Sequence, residues 1–227
     1  MKATKRIALF LAILIIVFSL TSCGTSRKMS VEDVVAYCDE KYNDKFSVVA
    51  NGTELWSDSY SELILSSEAL DGANINVRVY SKEEIIDNYI AVKYKSTVED
   101  KLSPVVKSIY GESLVVNVPI RFGVDSFYAD MSFEEYAKSA ESSVHIAIAT
   151  NAPTDEKDKM IEELRTQLQS EEICASVTVS YFDVESIDEI ELSQGTGKVF
   201  KQTPLLKGFM NLNADFSVES LYWNDSF

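Results

Sequence analysis

Residues 144–184, VHIAIATNAPTDEKDKMIEELRTQLQSEEICASVTVSYFDV, carry the architecture in one stretch. Val144, Ile146 and Ile148 mark a strand, and Asn151, Ala152 and Pro153 turn the chain. From Thr154 to Gln169 the spacing is helical, with Met160, Ile161, Leu164 and Leu168 on one face of a charged segment. Ile173 to Val184 reads as a long strand with Ala175, Val177, Val179 and Tyr181 on one side. Strand, helix and strand therefore alternate here.

The alternation does not persist as a strict rhythm on either side. Upstream, Ser30 caps a helix that runs to about Asn43 or Asp44, with Asp33 in its first turn to favour the dipole. Phe46 to Ala50 is a strand closed by an Asn51-Gly52 turn. Tyr60 to Ser67 and Ile75 to Tyr80 are strands separated by Asp71 and Gly72. Ser81 with Glu84, and Ser96 with Glu99, have the spacing of capping boxes. Ile90, Tyr94, Val98, Leu102, Val105, Val106 and Ile109 share a helical register, in which Pro104 implies a kink or a restart near Ser96. Gly111 ends it, Leu114 to Val118 form a strand, and Ser132 to Ala140 a helix. Downstream, 185–207 reads as an acidic, glycine-containing loop, and Phe209 to Phe216 as the last strand. Mixed elements of this kind predict an α+β fold: a single globular domain, its mixed or antiparallel sheet packed with helices. A division into two lobes would fall near 120–131, where no Pro/Gly/Ser-rich linker marks it.

The N-terminus has a different character. Lys2, Lys5 and Arg6 precede an apolar run from Ile7 to Leu20 broken only by Ser19, the pattern of a secretory signal peptide. Fourteen helical residues reach roughly 21 Å, short of a hydrocarbon core of about 30 Å. Leu20-Thr21-Ser22-Cys23 resembles the lipobox of bacterial membrane lipoproteins, with an aliphatic residue three before the cysteine and a small one just before it. The resemblance covers residues 1–24. It implies that 1–22 is a cleaved signal, that Cys23 is lipidated, and that the mature chain is held on the extracytoplasmic face of the bacterial cell membrane. Residues 23–29 are then the lipidated cysteine and a short tether, and 30–227 the α+β domain. From Gly24 to Met29 the chain spans only about 20 Å when extended, which keeps the domain close to the surface.

Removing the three bases of the signal from the chain's 21 leaves 18 against 36 acids, a formal charge of −18 on residues 23–227. That balance argues against nucleic acid, which is bound by neutralising phosphates with Lys and Arg. It also argues against a domain lying flat on an anionic membrane. With 46 % hydrophobic residues, 11 Phe and 11 Tyr, the chain has the material for a core. Two cysteines remain, Cys38 and Cys174. An exported chain permits one bridge between them; the alternative is two separate buried thiols. Cys38 lies in line with Val31, Val34, Val35 and Tyr42 on one helical face.

Catalytic, cofactor and metal signatures are not recognisable. The single histidine, His145, sits inside a strand beside Ala147 and Ala149, opposite the Val144 face. His145, Cys38 and Cys174 lack the paired spacing of a zinc site. Gly195-Thr196-Gly197-Lys198 lacks the first glycine and the Ser or Thr of a phosphate loop. Gly111-Glu112-Ser113 lacks the closing glycine of a nucleophile elbow, and Asp39, Lys41 and Asn43 fail as a calcium loop. Carboxylates abound on Asp155, Glu156, Asp158, Glu162 and Glu163, then Glu171 and Glu172, then Asp183, Glu185, Asp188, Glu189 and Glu191. Two converging carboxyls would suffice for a glycosidase, and loose divalent-cation binding between clusters is a further alternative. Tyr222 and Trp223 either form a contact patch or close the core.

The leading expectation is a membrane-anchored binding or assembly module whose partner is the membrane itself, through the lipid on Cys23, together with an envelope protein or cell-wall component. A cell-envelope hydrolase using paired carboxylates is one alternative, and an envelope inhibitor or immunity-type protein another.

Overall fold

The computed structural model describes residues 29–52, 60–81, 84–119, 128–139, 144–193 and 198–225. Helix α1, Val31–Tyr42, opens on a reciprocal cap: Ser30 Oγ accepts from the Asp33 N–H, and the Asp33 carboxylate accepts from the Ser30 N–H. Two orphan donors of the first turn are thereby satisfied. The helix ends at Asn43, whose left-handed conformation (φ 47°) turns the chain. Strands β1 (Phe46–Gly52), β2 (Ser61–Ser67), β3 (Ala73–Val79) and β4 (Ile85–Asp87) follow as an antiparallel sheet in that order. Asn51 and Gly52 do not turn the chain: they pair with Leu63 and Glu62 as the end of β1. The β2–β3 loop does close on Asp71 and Gly72, both at positive φ.

Ser81 and Glu84 start no helix. Their backbones pair with each other, and Ile85 to Asp87 form β4 on the edge of β3. The β-branched Ile85-Ile86 pair and the adjoining ladder outcompete the local capping signal. Helix α2 is a short turn, Tyr89–Lys93, and α3 restarts at Lys95 and runs to Tyr110. The N-cap of α3 is Tyr94, so Ser96 lies inside the helix, and Glu99 instead accepts the Asn117 N–H and pairs with Lys95. Pro104 lies on the exposed side of α3, where a lost backbone donor faces water. Val98, Leu102, Val106 and Tyr110 form the buried stripe.

The second sheet is mixed. Strand β5 (Ser113–Asn117) lies antiparallel to β6 (Val144–Thr150), β6 parallel to β7 (Ala175–Tyr181), and β8 (Leu206–Leu212) and β9 (Val218–Asp225) complete it antiparallel. Helix α4, Phe133–Lys138, carries a second reciprocal cap between Ser132 and Glu135. The parallel step between β6 and β7 is bridged by a single turn, Thr154–Glu156, and helix α5, Lys157–Ser170. Its residues Ile161, Leu164 and Leu168 are buried, as the spacing predicts. One core joins this sheet face, the first sheet and helices α1 to α5, so the molecule is a single α+β domain. The first sheet gives way to the second between β4 and β5, ahead of 120–131; of that candidate boundary, 120–127 lies outside the described residues.

Two expectations near the C-terminus change. Residues 185–207 are more than a loop: Ile190 and Phe200, together with Phe182 just before the segment, bury against Ala147 and Ala149 on the second face of the mixed sheet. The small alanines leave the space that these larger side chains fill. The last strand is β9, after a turn at Asn213–Ser217 in which Phe216 takes a positive φ. Among the described residues no helix is long and apolar enough to cross a membrane.

Candidate functional site

The sequence candidates are dispersed. His145 sits on β6 opposite Ser176, on the same face as Ala147 and Ala149, half-buried. Cys38 and Cys174 are free, buried thiols with different surroundings. Cys38 lies in α1, where burial, with Asp87 adding to it, pushes its thiol up to about 12. Cys174 precedes β7 and donates to the carbonyls of Leu212 and Asn213, each at 3.4 Å, and burial raises its pKa as well. A thiol held in this state is a poor nucleophile, because the thiolate is the reactive form. Asp39, Lys41 and Asn43 belong to α1 and its cap rather than to a cation loop. Cys23 and Gly195 to Gly197 lie outside the described residues.

Carboxylates on α5 and the turn before it lie on the surface beside bases: Glu162 with Arg165, Glu156 with Lys159, and Asp158 with Lys157. Glu171 and Glu172 pair with Lys101 and Lys138, and Glu191 with Lys201. Exposed pairs like these contribute little. Among the described residues no three His, Cys, Asp or Glu converge as a metal site.

One buried charge escaped the sequence reading. Asp87, at the end of β4, is 2 % exposed. Its Oδ1 accepts from the Tyr42 hydroxyl at 2.7 Å and from the Tyr89 N–H at 3.0 Å, and its Oδ2 pairs with Lys41 Nζ at 3.0 Å. Burial works against a charged Lys41, but the charge and hydrogen bond of Asp87 outweigh it and raise the lysine pKa. The Tyr42 and Tyr89 rings stack at 4.0 Å above this cluster. Next to it, Asn88 accepts from the Asn76 N–H at 2.8 Å and donates to the Pro119 carbonyl at 2.7 Å. Both carboxylate oxygens of Asp87 are thus engaged within the protein, and the cluster pins α1 to the first sheet. A polar pair interrupting the apolar run from Ile85 to Ala91 was the signal available in the sequence.

Close to this cluster a recess of about 500 Å³ is lined by Asp39, Asn43, Asp44, Lys45, Glu68 and Ala69. The Asp44 carboxylate there accepts from the Ser67 hydroxyl, the Ala69 N–H and the Lys45 N–H. Burial opposes its ionisation, but these bonds together hold its pKa below the usual value.

The surface feature that stands apart is the β9 edge. Tyr222 and Trp223 were the candidates for a patch or a core plug, and the pleat assigns one to each. Trp223 turns inward: its ring lies over Gly208, 6.1 Å from the Tyr181 ring, and its Nε1 donates to Asp158 at 2.8 Å. Tyr222 points to the opposite face, stacks on Phe209 across the ladder at 4.9 Å and 20°, and stays 52 % exposed. Leu221 (42 %) and Val218 (39 %) expose further apolar surface on β9, and Leu205 (56 %) does so just before β8. Among the described residues β9 has one neighbour only, β8, so its outer backbone edge is open. An open strand edge with apolar side chains on both faces can add a strand or dock a partner.

No family profile matches this sequence, and no curated protein matches it either. A solved structure, that of a DUF5037 family protein from Ruminococcus gnavus ATCC 29149, is similar at a TM-score of 0.41 and 16 % identity, over 83 % of this chain and 94 % of that one.

Proposed function

We propose that the protein is a bacterial membrane lipoprotein, tethered through a lipid on Cys23 at the extracytoplasmic face, whose domain is a binding or assembly module for another envelope component. The observation that carries the binding reading is the exposure of Val218, Leu221 and Tyr222 on β9, whose outer backbone edge has no partner among the described residues. Exposed apolar surface of this kind, rimmed by polar residues, marks interaction sites. The lipobox-like Leu20-Thr21-Ser22-Cys23 supports the anchor, since two or more acyl chains hold a protein stably at a membrane. The hydrolase alternative wants a carboxyl held protonated. Among the described residues the carboxylates whose pKa is shifted, Asp44, Glu135, Glu162, Glu191 and Asp215, are all held lower by their hydrogen bonds.

Two measurements test the proposal. Cys23→Ala is expected to abolish fatty-acid labelling and release the protein from the membrane fraction. A photoreactive amino acid at position 222, in intact cells, is expected to cross-link to an envelope component, whereas the same group at Lys159 on exposed α5 is not. A membrane-bound Cys23→Ala protein overturns the anchor; no cross-link at position 222 overturns the binding edge.

A further inference from the structure

The β9 edge differs from the other sheet edges in ways that specify an occupant. Strand β4 has 3 residues and β5 has 5, too short to template much pairing. Strand β1 is interrupted at its centre by a bulge at Val49, where two residues oppose one across the ladder. Bulges and shortness are the usual protection of an edge. Strand β9 is 8 residues long, and its only register shift lies at Glu219, near the start. Ser220 to Asp225 therefore offer a regular edge.

The side chains there are set up for continuation of the ladder. A strand added beyond β9 would lie about 4.8 Å away. That is close to the 4.9 Å between the Phe209 and Tyr222 rings, so a side chain of the added strand would meet the outer face of Tyr222 and extend the stack. On the opposite face the same strand would cover Leu221, which Met210 supports from β8. Apolar side chains are thus wanted on both faces of the incoming segment at its middle.

Charge decides what flanks that middle. The sequence of β9, VESLYWND, holds Glu219 and Asp225 and no base, and the exposed Asp215 lies in the turn before it. Lys207, one strand inward, is the base on β8. A second copy of this chain would bring a formal charge of −15 against −15, and antiparallel pairing through Tyr222 would bring the acidic ends of the two β9 strands side by side. Like charges directly opposite destabilise a ladder.

We infer that β9 accepts an extended segment of a different protein as a sixth strand of the mixed sheet, the segment having apolar residues at its centre and Lys or Arg at its ends. This rests on the binding reading above and names the chemistry of its partner. Main-chain hydrogen bonds supply affinity, while the Tyr222 and Leu221 faces and the acidic flanks supply selection.

The test uses the full lipidated protein in detergent and two synthetic peptides: one alternating Val and Thr around a central Tyr with two lysines at each end, and one with glutamates replacing the lysines. By fluorescence anisotropy the lysine peptide is expected to bind, weakening as salt rises, and the glutamate peptide to bind about tenfold more weakly or less. Tyr222→Lys and Leu221→Lys, both at exposed positions, should each weaken the lysine peptide by about tenfold with unchanged thermal midpoints. Equal binding of both peptides, no binding of either, or binding indifferent to both variants overturns the inference. Self-association in sedimentation that Tyr222→Lys removes would put a second copy at the edge; that too overturns a basic partner while leaving a binding edge in place. Loss of the cellular cross-link at position 222 overturns the underlying reading instead.

Discussion

The indole of Trp223 occupies the space that a side chain on Gly208, its cross-strand partner, would need. Its Nε1 donates to Asp158 on α5 at 2.8 Å, and Lys157 lies 5.5 Å from the ring. One residue thereby ties the edge strand to the helix behind the sheet and leaves its neighbour Tyr222 free on the other face. Gly208→Ala is expected to cost about 1–3 kcal/mol, since the pinned ring cannot simply swing away. The two changes should be strongly non-additive: in a Trp223→Val background, Gly208→Ala should cost far less. Urea midpoints of the four proteins in the cycle measure this.

Breaking the Lys41–Asp87 pair should be among the most damaging single changes. Lys41→Met leaves a carboxylate 3 % exposed without its cation, a loss of about 3 kcal/mol or more. Adding Asp87→Asn should restore part of that loss, because the stranded charge disappears while an acceptor for Tyr42 remains. An Asp87→Asn change that worsens the Lys41→Met protein would show that the carboxylate is stabilised by its hydrogen bonds alone.

Acid should weaken the connection between α1 and the β2–β3 hairpin through Asp44. Its pKa is lowered from the ordinary 3.8 by its hydrogen bonds. The stability it contributes is therefore fully present above 3.8 and drains as pH falls through the lower folded value. Thermal midpoints between pH 2 and pH 5 should fall less steeply for Asp44→Asn than for the parent protein. Parallel curves would assign the acid sensitivity elsewhere.

Cys38 and Cys174 should resist alkylation in the native protein and react once it is unfolded, since both thiols are buried. Mass spectrometry with and without reductant is expected to give the same mass. A native mass lower by two hydrogens would mean that the two form the bridge the sequence also allowed.

Reading the sequence recovered local structure best where one signal acted without competition. Ser30 with Asp33 and Ser132 with Glu135 cap their helices because three-residue geometry settles the matter within one turn. Ser81 with Glu84 carries a similar signal and loses, because Ile85 to Asp87 gain a ladder with β3 that no local window reveals. The Phe182, Ile190 and Phe200 plug was missed for a similar reason: its apolar residues are sparse in an acidic stretch, and their burial depends on space left by Ala147 and Ala149 on another strand.

By itself, the sequence determined the mixed content of helices and strands, the inward face of α5, and the acidic balance of charge. These follow from periodicity and composition, which are properties of neighbours along the chain. Only the tertiary structure decided that Asp87 is a buried anchor, that Trp223 closes the core, and that Tyr222 stands open on the edge. Adjacent residues on a strand point to opposite faces, and which face is covered depends on segments tens of residues away.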